Sequence, residues 1–277
     1  AAAGNSPCLD MRMGVRSHWA GFEGAPRTSV ASLSGRLGQG TTFAHGMGGY
    51  VLNDDIGPWS NTRLNLAYSS KIRLSSGARL SAGVGLGLTQ YRLDVGSLRF
   101  PEESATDDPA LIGNASSQMV FPTMDFGLWY EDKLNFASLG VLNVTATTLN
   151  DIAQGTSSGR VAVLTGGRYV KLDRRFAFKP AAQMRVASGL PASIDFQGTF
   201  SLDDRISMGL AYRSGTAMVG IVNMKLFESM TVGYAYDFGV SALNVAGRNS
   251  HEIVISLTAC DKEDPFFGTS GRCPAYD

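Results

Sequence analysis

The residues of this chain that could do chemistry are three histidines, three cysteines and a few closely spaced carboxylates. His251 lies between Ser250 and Glu252, the residue types of a nucleophile–base–acid triad. Neighbours on an extended strand point to opposite faces, so these three cannot assemble a triad locally. His18, His45 and His251 stand far apart and lack metal-ligand spacing. Glu102, Glu103, Asp107 and Asp108 gather four carboxylates, the raw material of a calcium loop, but without its regular oxygen-ligand spacing. They read as a solvated loop. Gly83-Val84-Gly85-Leu86-Gly87 repeats glycine at every second residue, which is one face of a strand, and no helix follows to bind phosphate. The residues therefore predict no cofactor, no metal and no enzyme activity.

The elements that would position these groups have a side-chain period of two. Met230, Val232, Tyr234, Tyr236, Phe238 and Val240 alternate with Thr231, Gly233, Ala235, Asp237 and Gly239. Such a strand has one large apolar face and one small or polar face. The pattern recurs over about fourteen candidate strands, near 10–20, 26–38, 42–53, 60–74, 78–96, 119–131, 135–147, 161–172, 176–188, 192–202, 205–214, 217–227, 229–241 and 250–260. No run of about 18 apolar residues offers a membrane-spanning helix. Charges balance at 24 basic and 24 acidic, so there is no sign of a nucleic-acid surface. Gly is frequent at 33 and charged residues are scarce at 17%, a composition in which outer-membrane barrels conceal their spans.

Connections alternate as well. Short ones fall at 75–77, 131–133, 173–175, 203–204 and 228–229; ones that are longer or carry special residues fall at 21–26, 53–61, 96–118, 148–160 and 241–249. Short turns at one end and long loops at the other predict a closed antiparallel transmembrane β-barrel. Closure satisfies every backbone group in lipid. An even strand number places both termini with the short turns, on the periplasmic side, and the longer loops outside. Residues 1–260 form the barrel and 261–277 a periplasmic tail. By strand parity, Arg63, Asn65, Lys71, Arg73, Arg79, Lys179, Gln183 and Arg185 point inward, together with Asp125, Asp195, Arg213, Asp237 and Glu252. Isolated charges would be costly in an apolar core, so these predict a polar lumen laced by ion pairs.

With strands placed, several loop segments become recognisable. They are Gly14-Val15-Arg16-Ser17-His18-Trp19-Ala20-Gly21-Phe22-Glu23-Gly24-Ala25-Pro26, Asn53-Asp54-Asp55-Ile56-Gly57-Pro58, Phe178-Lys179-Pro180 and Ser188-Gly189-Leu190-Pro191. Leu210-Ala211-Tyr212-Arg213-Ser214-Gly215, Gly233-Tyr234-Ala235-Tyr236-Asp237 and Ser250-His251-Glu252-Ile253 complete the set. In order and spacing they resemble the PorP/SprF family of type IX secretion outer-membrane proteins. The resemblance implies an outer-membrane barrel of a Bacteroidota-type envelope that works with secreted or gliding-associated surface proteins.

Parity sets the 19–26, 53–58, 188–191 and 213–215 segments at the extracellular end. Gly and Pro there give rigid loops, which suit docking of another protein. Trp19, Phe22, Pro26, Ile56, Pro58 and Trp59 are the expected partner-binding residues, and an exported surface protein held by its C-terminal domain is the expected partner. The alternatives are a structural subunit of the secretion machine attached to its periplasmic ring, and a solute pore whose lumen loop 96–118 is long enough to plug. In the oxidising periplasm Cys260 and Cys273 are the candidate disulfide, stapling the tail that carries Phe266 and Phe267. Cys8 competes for either cysteine.

Overall fold

The structure is a computed structural model that describes residues 1–6, 8–21, 23–37, 42–94, 117–146, 158–240 and 249–259. Its strands are β1 (Leu9–Ser17), β2 (Arg27–Leu37), β3 (Phe43–Ile56), β4 (Trp59–Arg73), β5 (Arg79–Leu93), β6 (Ser117–Glu131), β7 (Asn135–Leu142) and β8 (Val161–Arg168). They continue with β9 (Val170–Lys171), β10 (Phe176–Ala187), β11 (Ser193–Leu202), β12 (Ile206–Arg213), β13 (Ala217–Phe227), β14 (Met230–Gly239) and β15 (Ser250–Ala259). All pairing is antiparallel between successive strands, and β15 pairs with β1 to close the sheet. Every strand of the closed sheet thus has a neighbour on each side, the condition for a sheet in lipid.

The fifteen segments are fourteen strands, because β8 and β9 are one strand interrupted at Tyr169. Its register against β10 stays in step, with Gly167 facing Ala181 before the gap and Val170 facing Phe178 after it. Pro180 of β10 lies within the gap and has no N–H to contribute to a ladder. Pro122 of β6 is accommodated differently. Strand β7 has ended at Leu142, so beside Pro122 there is no β7 ladder to disrupt.

The two faces are as the alternation dictates. Leu66, Leu86, Phe196, Phe200, Met208 and Leu210 are exposed on the outside, each by more than half. In water this belt would be a severe liability; in a bilayer it is the lipid contact. Its ends are marked by polar aromatics. The Tyr68 hydroxyl lies 2.7 Å from His45 Nδ1 toward the turn end, and the Tyr234 hydroxyl 2.7 Å from His251 Nδ1 toward the loop end. Tyr in these positions suits the membrane–water interface.

One expectation is corrected by the register. The 53–61 connection is not a long loop: β3 runs to Ile56, β4 starts at Trp59, and only Gly57 and Pro58 join them. Gly57 has φ 57°, which a tight turn needs and a Cβ would strain. The lumen is occupied by a segment that alternation could not reveal. Residues 1–6 precede β1 and cross the lumen toward β5 and β6, where Ala1 and Ala2 pack against the stacked rings of Trp129 and Phe136, whose centroids are 5.7 Å apart. Gly46 and Gly83 leave the room for this crossing, since a Cβ at either would collide with Ala3 or Ala1. Loop 96–118 lies outside the described residues up to the start of β6, and so does the tail with Phe266 and Phe267.

Cys8 is buried and disulfide-bonded. Cys260 and Cys273 lie outside the described residues. The chain has three cysteines, so a Cys8 bond within the chain is incompatible with the expected Cys260–Cys273 staple. Leu9 faces Ala259 across the β1–β15 seam; Cys8 precedes Leu9 and Cys260 follows Ala259 in the sequence. Non-reducing peptide mapping is expected to recover Cys8 joined to Cys260. Recovery of a Cys260–Cys273 peptide with a free Cys8 would contradict this.

Candidate functional site

The rim at the loop end is built from backbone hydrogen bonds between segments far apart in sequence. The 18–26 loop is tied to β15 and to itself: Ala20 N–H donates to Asn249 O at 3.0 Å, and His18 N–H to Pro26 O at 2.9 Å. Trp19 is 49% exposed and holds φ 44°, a region bulky residues rarely adopt; its N–H donates to Ser250 Oγ at 3.3 Å. The β3–β4 hairpin joins the same frame. Gly57 N–H donates to Gly24 O at 3.1 Å, and Asp94 N–H donates to Pro58 O at 2.8 Å. The Thr28 hydroxyl donates to Asp54 at 2.6 Å.

Five of the six residues expected to bind a partner are thus placed. The 19–26 loop and the 56–59 hairpin touch, which brings Trp19 and Pro26 into one frame with Ile56, Pro58 and Trp59. Ile56 and Trp59 are cross-strand partners, 47% and 40% exposed, and Pro26 and Pro58 are half-buried. Phe22 lies outside the described residues. Trp59 shares its strand face with Arg63 and Asn65, whereas lipid-facing Leu64 and Leu66 have the opposite parity. It therefore points to the lumen side of the hairpin and does not belong to an outer aromatic girdle. The outward face of this hairpin is polar: Ser60 donates to Asp55 at 2.6 Å and Thr62 to Asn53 at 2.7 Å.

Below the rim the inward charges pair as parity foretells, with one hub it did not single out. Arg16 donates to Asp237 and, at 2.9 Å, to Glu252. Arg213 reaches Asp237 at 3.3 Å and Asp195 at 3.5 Å. One lattice thus joins β1, β11, β12, β14 and β15 beside a cavity of 240 Å³. Arg16 was readable, because Met11, Met13 and Val15 fix the outward parity of β1. On the opposite wall Arg63 pairs with Asp125 at 2.8 Å, and Arg79 with Glu131 at 2.6 Å. Beside this second wall lies a cavity of 540 Å³ lined in part by Ala1, Ala2 and Ala3. Ser250, His251 and Glu252 engage Trp19, Tyr234 and Arg16 respectively, so no triad forms from them.

His18 stands just past β1 at the top of this lattice. Burial, and then the adjacent Arg16 guanidinium, hold its pKa below the ordinary 6.5, against the opposing pull of Asp237 and Asp54. Its neutral Nε2 accepts from Arg16 Nε at 2.9 Å. A depressed folded pKa means that the unfolded chain takes the proton first. The contribution is intact above pH 6.5 and is lost as pH falls through the lower folded value. Thermal stability in detergent is expected to decline below pH 6.5, and less so in His18→Gln, which keeps an acceptor that does not titrate in this range. Identical pH profiles for the two proteins would exclude His18 as the source.

Among solved structures the chain is similar to the P. putida toluene transporter TodX, at 12% identity and a TM-score of 0.53, covering 94% of this chain and 91% of that one. It is also similar to the CymD monoaromatic hydrocarbon channel, at 11% identity and a TM-score of 0.52, covering 91% and 87%. These likenesses show the fold of an outer-membrane barrel. No curated protein matches the chain in sequence. The family described as Type IX secretion system membrane protein PorP/SprF matches residues 1–257, which take in every strand but the last two residues of β15. The chain belongs to the PorP/SprF family of type IX secretion system membrane proteins.

Proposed function

We propose that this barrel holds an exported surface protein at its loop-end rim, with the turns and both termini in the periplasm. The observation that carries the reading is the bond from Gly57 N–H to Gly24 O, which locks the 18–26 loop to the β3–β4 hairpin. It supports a pre-shaped platform, since loops already fixed need little ordering on association. Ile56 and Trp59 offer an exposed apolar pair on that platform, and Trp is a frequent binding hot spot. The hairpin's outward polar pairs keep its other face in water. A wide solute pore fits less well, because residues 1–6 cross the lumen and ion pairs span its wall.

The test is a double substitution, Ile56→Asp with Trp59→Asp, in cells that export the surface protein. Both positions lie above the apolar belt, so barrel insertion should be unchanged. The surface protein should appear in the medium instead of on cells. Should it remain attached and be exported normally, the rim is not its binding site.

A further inference from the structure

Arg168 of β8 carries its charge on the face that meets lipid. Its strand parity is that of Leu164, which is 53% exposed, and its cross-strand neighbour on β7 is Asn135. One step toward the loop end, the outward row is Ala137, Gly166 and Ala182 on β7, β8 and β10. These small residues leave a shallow trough between the rings of Tyr130 on β6 and Phe196 on β11, the next members of the row. A further step on, Leu128, Leu139 and Leu164 form an apolar row, each at least 44% exposed. An arginine is stable on such a face where its guanidinium reaches the headgroups.

The protein does not neutralise this charge. Among the described residues no carboxylate pairs with Arg168. Arg175 and Lys225, at the same end of the barrel, pair with Asp203 at 2.7 Å and Glu228 at 3.1 Å. Asp132, in the neighbouring turn from β6 to β7, instead accepts from the backbone N–H groups of Leu134 and Asn135, each at 2.8 Å. Lys133 of that turn is exposed and, among the described residues, likewise has no carboxylate partner. Tyr169 N–H donates to Leu134 O at 2.6 Å, which fixes the turn beside the strand that bears Arg168. We propose that Arg168 and Lys133 hold the phosphate of an anionic phospholipid in the leaflet at the turn end, with an acyl chain passing over the trough of Ala137, Gly166 and Ala182. The unpaired cations select negative charge, and the apolar rows above them select a lipid over a soluble anion. A zwitterionic lipid brings the same phosphate with its charge cancelled.

The test titrates the full chain in detergent with phosphatidylglycerol or phosphatidylcholine and counts bound lipid by native mass spectrometry. The parent protein should retain phosphatidylglycerol more tightly than phosphatidylcholine. Arg168→Gln should weaken phosphatidylglycerol binding about fivefold, the effect of one basic residue on a lipid headgroup. Arg168→Lys, which keeps the charge, should recover most of that loss. Lys225→Gln removes the same net charge from a cation already paired with Glu228, and should leave binding unchanged. Equal retention of the two lipids by the parent would overturn the proposal. An equal loss in Lys225→Gln would overturn it too, because the attraction would then be diffuse. Displacement of phosphatidylglycerol by inorganic phosphate at matching concentration would make this a soluble-anion site and overturn its assignment to lipid.

Discussion

Replacing Asp125 by alanine is expected to destabilise the barrel by about 3–4 kcal/mol, the cost of stripping a sheltered cation of its counter-ion. Asp125 is 8% exposed on the inner face of β6. It accepts from Arg63 Nη2 at 2.8 and 3.0 Å, from Asn65 Nδ2 at 3.0 Å and from the Asn143 backbone N–H at 2.8 Å. Asn143 in turn donates its side-chain amide to Ser158 O and Oγ, both at 2.9 Å. One carboxylate thus ties β4 to β6 and holds both ends of the connection from β7 to β8. Asp125→Asn keeps acceptors but loses the charge, and should fall between parent and alanine variant. Urea unfolding in lipid vesicles reads the shift. A loss below about 1 kcal/mol would show that lumenal water screens the pair as it does at an open surface.

What the sequence disclosed follows from what repeats. The outward sets of β4, β11 and β12 were legible because each strand carries four or more alternating residues, and the inward charges followed by parity. Asp195, Arg213, Asp237 and Glu252 were placed in the lumen in this way, and in the structure they form one lattice with Arg16. Strand ends were less legible, because polarity changes on leaving the apolar belt while the strand goes on. Asn53, Asp55, Ser60 and Thr62 look like loop residues, yet they alternate outward on a hairpin that continues past the belt. The lumenal crossing of residues 1–6 had no signature at all. Its evidence is split between small residues at the start of the chain and the glycines facing them, Gly46 and Gly83, which alone look like strand-face glycines. The rim was half legible: Gly and Pro marked its turns, but only the fold shows Gly57 bonded to Gly24.

The strongest test of which face meets lipid comes from two adjacent positions. Leu66 is in the middle of β4, 64% exposed, with Leu86 of β5 beside it at 57%. Leu66→Arg would put a guanidinium among acyl chains, and is expected to cost about 2–4 kcal/mol if the site is near the midplane. Ala67, the next residue, faces the 540 Å³ lumenal cavity. An arginine there has space, and the carboxylates of Asp10 and Asp125 line the same cavity, so Ala67→Arg should cost under about 1 kcal/mol. Intrinsic strand preference cannot separate the two, since the substituted residue is the same and the positions are neighbours. Equilibrium unfolding from lipid vesicles gives both values. If Ala67→Arg proves the more damaging, the apolar face is turned inward and the barrel's assignment to a membrane fails. If Leu66→Arg alone is damaging, the alternation seen along the chain is a map of where the bilayer lies.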